Sequence, residues 1–247
     1  METANPALSS GALTRYGRVA AAEAMTIQGT VNKTLLCLLL AVLTAAWTWN
    51  IFFKTGNPAA VAPLLAVGAL GGFVVALVTI FKQPWAAVTA PIYAALEGLV
   101  IGGLSAILEA QFPGIVIQAV GLTFGTCLAM LLAYKTGLIK ATERFKLGVV
   151  AATGGIALVY FVTIILGLFG VRIPFIYGSS PVGIGFSLFV CVIAALNLVL
   201  DFDAVERGAA AGAPKYMEWY GAFALMVTLI WLYLEILRLL AKLRSRE

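Results

Sequence analysis

The chain contains no histidine among its 247 residues, and only 11% of them carry charge. An ordinary globular domain has roughly 25%. Without imidazole there is no Ser/His or Cys/His nucleophilic pair and no zinc site of the usual imidazole-ligated kind. Aspartate is almost as scarce. Asp201 and Asp203 stand two residues apart, whereas an aspartic intramembrane protease needs two on different helices sharing one proton. No Gly-rich loop ending in Lys-Ser/Thr follows a strand to cradle a nucleotide. An enzyme is therefore not expected, nor a cofactor. Three cysteines, Cys37, Cys127 and Cys191, each sit inside an apolar run; an odd count so placed builds no disulfide framework and reads as packing. The first 30 residues lack the short apolar core and cleavage site of a signal peptide, so the first span is expected to remain as an anchor.

What the chain does have is apolar length. Hydrophobic residues make up 62% of it, so the solvent for most of the molecule is lipid. At about 20 residues per helical span, seven spans and short loops fill the chain and leave no room for a separate soluble domain. Apolar runs broken by charge, proline and glycine predict spans at 35–53, 59–81, 85–108, 114–134, 147–170, 182–200 and 219–243. The expected fold class is all-α: a polytopic membrane protein, a seven-transmembrane-helix bundle at 33–247 behind a polar cytoplasmic N-terminal segment at 1–32. Glycines four apart, Gly68 with Gly72, Gly98 with Gly102 and Gly121 with Gly125, are expected to let helices approach closely.

The basic residues lie between apolar runs rather than on one face, which argues against a nucleic-acid partner and for topology signals. Arg15, Arg18, Lys33, Lys82, Lys135, Lys140, Arg144, Lys146, Arg207 and Lys215 fall on one side of the predicted spans, with Lys54 and Arg172 opposite. The N-terminus is therefore expected in the cytoplasm. The tail conflicts with this: after seven full crossings Lys242, Arg244 and Arg246 would lie outside. Span seven either crosses against the rule or is re-entrant.

An ionisable side chain inside a membrane costs at least about 2.5–3.5 kcal/mol and marks a functional site by default. Glu97 falls midway along span three, Glu235 within span seven, and Asp201 at the end of span six. Each has a plainer reading. Glu97 could be a protonated acid bonded to a neighbouring helix, and Glu235 a local pair with Arg238 one turn on. Asp203 and Glu206 could be solvated residues beside Arg207. The sharper reading is that carboxyls share a site and a proton, titrate as a unit, gate a pore or coordinate a hard cation.

At these acids the sequence resembles the Bax inhibitor-like (transmembrane Bax inhibitor motif) family, in particular its bacterial YccA-like branch. The motifs are YAALEGLVIGGLS in span three, LVLDFDAVERGA at the end of span six and WLYLEILRLL in span seven. The resemblance implies a bundle whose last helix is central, surrounded by the others, in a multi-pass protein of the bacterial plasma membrane. It also implies a pH-sensitive cation leak, calcium above all, gated by an acid in span six and one in span seven. The span-seven acid falls on Glu235. The span-six acid falls on Asp201 or Asp203, with Asp201 favoured because Gly208 follows it by seven residues. Expected partners are the lipid bilayer and calcium ions or protons. A membrane protease is the partner in an alternative reading as an interaction protein, and a small-solute transporter is the third. Asp201 and Glu235 are expected to share a proton or a bridging water, although a straight span seven puts Glu235 ~24 Å from its start.

Overall fold

The computed structural model describes residues 24–170 and 178–246. Seven long helices run in order: α1 Ile27–Thr55, α2 Pro58–Phe81, α3 Ala86–Gln111, α4 Ile115–Lys135, α5 Glu143–Leu168, α6 Pro181–Ala210 and α7 Met217–Arg244. All seven are long and apolar enough to cross a membrane, and the described residues hold no strand. The chain is a multi-pass membrane protein. Arg15, Arg18 and Arg172 lie outside the described residues.

Local chemistry sets the helix ends. Thr26 caps α1, its hydroxyl accepting from Gly29 N at 2.9 Å, and Gly56 ends the helix at φ 61°, a conformation open to glycine without strain. Asn57 caps α2 and Ser180 caps α6, each followed by a proline whose missing N–H costs nothing in the first turn. Helix α1 starts eight residues before the predicted span, and its start is tied to Glu218 of α7 through Thr26 and Lys33. Inside the spans, Thr34, Thr79, Thr89, Thr123 and Thr163 donate to the carbonyl four residues back, which satisfies each hydroxyl within its own helix.

The bundle inverts the soluble pattern. Large side chains such as Leu36, Leu43, Leu70, Phe73 and Ile164 face outward, while Ala41, Ala90, Ala94, Ala194 and Ala224 are buried. With lipid outside there is no hydrophobic gain in hiding leucine, and small residues win the interior because they bring backbones together. Helix α7 is the centre. In its most apolar stretch 67% of residues are buried, against 17% for α2, α4 and α5, and it packs on α1, α3, α4 and α6. Helix α5 leans on α6 from outside.

Two of the three glycine pairs act as expected. A Cβ on Gly98 would overlap the Ala41 carbonyl and Thr44, and one on Gly102 the Ala45 backbone, which fixes α3 against α1. On the α2 side, a Cβ at Gly68 would come 2.6 Å from Leu96 O. Gly121 and Gly125 correct the expectation: nothing lies within 4 Å of either added Cβ. Helix α4 packs through the Ala119 and Thr123 face, both buried, and turns its glycines away. The cysteines are free, with Cys37 and Cys191 buried, in keeping with a packing role.

The tail is also settled. Helix α7 is unbroken, and Arg244 Nη1 donates to Pro113 O at 2.7 Å and Ser245 lies 2.5 Å from Ser179 through their hydroxyls. Both partners belong to the end of the bundle away from Thr26. Span seven runs the full length of the bundle rather than turning back.

Candidate functional site

Acids are spread along the central helix at three depths. At the Thr26 end, Glu218 occupies the second position of α7 and is completely buried. Its carboxylate accepts from Thr26 N and Thr26 Oγ1, both at 2.9 Å, and pairs with Lys33 of α1 and with Lys215 Nζ at 3.0 Å. Gly29 is required opposite, because a Cβ there would overlap the carboxylate. Backbone pairing beside it, Met25 N to Ala213 O at 2.7 Å and the Ala24–Pro214 bridge, stitches the start of α1 to the α6–α7 loop. Sequence reasoning passed over Glu218. Its signal was available: an acid flanked by Lys215 and immediately followed by an apolar helix.

Asp201 and Glu97 lie deeper, about a third of the way along α7 from the Thr26 end. Asp201 is 0% exposed on α6. Glu97 is half-buried on α3, one turn after Tyr93, and sits over Gly72, whose added Cβ would come 2.9 Å from Glu97 Oε1. Tyr93 in turn packs edge-on against Phe223 of α7 at 4.9 Å. No ion pair among the described residues involves Glu97. The pairings Tyr93–Phe223 and Ser105–Tyr233 set Glu97 at about the level of Met226. The α6–α7 register sets Asp201 at the same level.

Glu235 lies further out. Only 2% of its side chain is exposed, and its oxygens accept from Arg238 Nη1 at 2.9 and 3.1 Å, with Tyr160 OH of α5 donating to Oε1 at 2.8 Å. The guanidinium also lies 5.2 Å from the Tyr160 ring centre. One helical turn beyond, Lys242 is buried and donates to Gly183 O at 3.0 Å and Ser187 Oγ at 2.8 Å. That contact and the short Ala210–Met217 connection fix the antiparallel register. At 1.5 Å per residue it separates Asp201 and Glu235 by about nine residues, roughly 13 Å along the axis. The expected shared proton is therefore corrected. The two carboxyls do not meet, because α7 is straight and starts level with the end of α6. Glu235 takes the plainer of its two readings, a pair with Arg238, extended by Tyr160.

Asp203 lies two residues nearer the Thr26 end of α6, where its Oδ2 meets Arg207 at 2.8 Å and Lys146 Nζ of α5 at 3.0 Å. Glu206 accepts from Tyr134 OH of α4 at 2.5 Å and lies 3.7 Å from Lys135. These acids fasten α4 and α5 to α6. Asp201, two residues earlier on the helix, points instead into the bundle. Among the described residues no three acids or cysteines converge on a metal site.

No curated protein and no solved structure matches the chain. The family model for Bax inhibitor 1 like proteins matches residues 5–245, a stretch that takes in all seven helices and each acid described above. The chain belongs to the Bax inhibitor 1 like family.

Proposed function

We propose that the protein is a cation leak pathway, with calcium its main cargo, opened and closed by protonation of a carboxyl, and that Asp201 is that carboxyl. The reading rests on one observation, the complete burial of an aspartate inside the bundle on α6, the helix packed along the central α7. A neutral carboxylic acid is buried at lower cost than an ionised one, which gains from a hydrated surrounding. Deprotonation thus favours a hydrated, open arrangement and protonation the dry one. Glu97, at the same depth and outside the ion pairs, is the second candidate. Glu235 is less suited, since Arg238 already compensates its charge and would repel a cation. Calcium is cargo here, not a resident ligand, and no catalytic step is assigned.

The membrane we assign is the bacterial plasma membrane, and the branch is the YccA-like one. The N-terminus and the 136–142 loop face the cytoplasm. Lys33, Lys82, Lys135, Lys140, Lys146, Arg207 and Lys215 support this by gathering at the Thr26 end. The residues of α7 that break the rule are held by protein: Lys242 by Gly183 and Ser187, Arg244 by Pro113. A second reading, engagement of the N-terminal segment by a membrane protease, draws support from Glu218, which holds that segment's exit point in one place.

Calcium flux into liposomes containing the purified protein, measured across pH, tests the leading reading. Wild-type flux rises with pH, and Asp201→Asn, a permanent mimic of the protonated form, is low and flat. A wild-type pH profile in Asp201→Asn removes Asp201 as the sensor and turns attention to Glu97.

A further inference from the structure

Helices α1 and α4 both pack on α7 but make no extensive contact with each other. Between them the bundle leaves a cavity of about 450 Å³, walled by Leu38 and Trp49 of α1, Val120 and Phe124 of α4, and Ile230 and Tyr233 of α7. Its rim is continuous with the lipid-facing surface: Phe124 is 52% exposed and Val42, also at the rim, 60%. The hydroxyls in the lining are already engaged. Ser105 and Tyr233 bond one another at 2.6 Å, and Thr123 donates to Ala119 O at 2.7 Å. Such a lining gives water few partners, and an empty space would forfeit dispersion contacts along its whole length.

The shape selects the occupant. From Leu38 to Trp49 the cavity follows α1 for roughly 16 Å at 1.5 Å per residue. One leaflet of a hydrocarbon core ~30 Å thick is about 15 Å deep. The cleft starts near the mid-depth of the bundle and runs toward the Gly56 end, so its length equals that leaflet. A partner helix crossing both leaflets would run ~30 Å, about twice the length of the cleft. We propose that the cleft is a lipid site that takes one acyl chain of a phospholipid from the leaflet at the Gly56 end, inserted between α1 and α4.

Trp49 reports on the site. In the full chain with Trp47, Trp85, Trp219 and Trp231 replaced by phenylalanine, Trp49 is the sole indole. Held in an unbrominated detergent, this protein is titrated with a phosphatidylcholine brominated midway along one acyl chain. Quenching of Trp49 is expected to saturate near one lipid per chain. Ala46→Phe, at the exposed rim, and Val120→Phe, deeper in, should each reduce the saturable part severalfold, while Leu70→Phe on the lipid-facing side of α2 leaves it intact. Because Ala46 is exposed, its variant folds even where the deeper one fails. Quenching that climbs with lipid without saturating overturns the proposal, as does a saturable part that survives Ala46→Phe. A brominated free fatty acid that saturates Trp49 where the phosphatidylcholine does not overturns the phospholipid as occupant.

Discussion

The backbone N–H of Thr26 donates to Glu218 Oε1 at 2.9 Å across 192 residues of sequence. That bond, with the Lys33 and Lys215 ion pairs, makes one buried carboxylate the meeting point of the N-terminal segment, α1 and the α6–α7 loop. Removing a partner from a buried ion pair leaves the others uncompensated, at a typical cost of about 3 kcal/mol. Glu218→Gln is therefore expected to lower the unfolding midpoint of the purified protein by roughly 5–10 °C. A midpoint within 1–2 °C (about measurement error) would show that the amide replaces the carboxylate without loss, and that the pairs contribute little.

Opposite ends of the bundle carry Thr142 and Ser245. In a background with the native cysteines replaced by alanine, Thr142→Cys is expected to react with an impermeant thiol reagent only from the cytoplasmic side, and Ser245→Cys only from the other. Labelling of both from one side would contradict a complete crossing by α7.

Glu235 and Arg238 form a pair whose members depend on each other unequally. Arg238→Ala strands a carboxylate that is 2% exposed, and is expected to destabilise by on the order of 2 kcal/mol. The figure sits below that of a fully buried pair because the arginine side chain is 37% exposed and partly screened. Adding Glu235→Gln removes the stranded charge and should restore part of that loss. In the flux assay, Glu235→Gln is expected to leave the midpoint proposed for Asp201 where it was, since the two groups lie roughly 13 Å apart along the helices. A midpoint displaced by Glu235→Gln would reinstate their coupling.

The glycines divide sharply. Gly102→Leu drives a side chain into the Ala45 backbone and is expected to cost about 3 kcal/mol. Gly125→Ala meets open space and gains up to about 1 kcal/mol in helix propensity. Thermal unfolding of the two variants checks the contrast, and equal midpoints would mean that the α1–α3 seam yields to the larger side chain.

Composition and the spacing of apolar runs were enough to determine seven spans, the absence of histidine chemistry, and the residues that carry the family resemblance. Lipid solvation makes this possible, because a span long enough for the membrane writes itself as a continuous apolar run that no other fold requires. The same run says nothing about which face turns inward, since leucine outside and alanine inside are equally apolar. Gly98 and Gly121 are alike in sequence, yet one touches a neighbouring backbone and the other meets open space. Only the packing of seven helices decided that, and it decided the acids too. Whether Glu235 meets Asp201 or Arg238 depends on the axial register of α6 and α7, set by where their connecting loop turns and by the Lys242 contacts with Gly183 and Ser187. Glu218 shows the same limit from the other side: its partners come from residues 26, 33 and 215, and no local pattern joins positions that far apart in the chain.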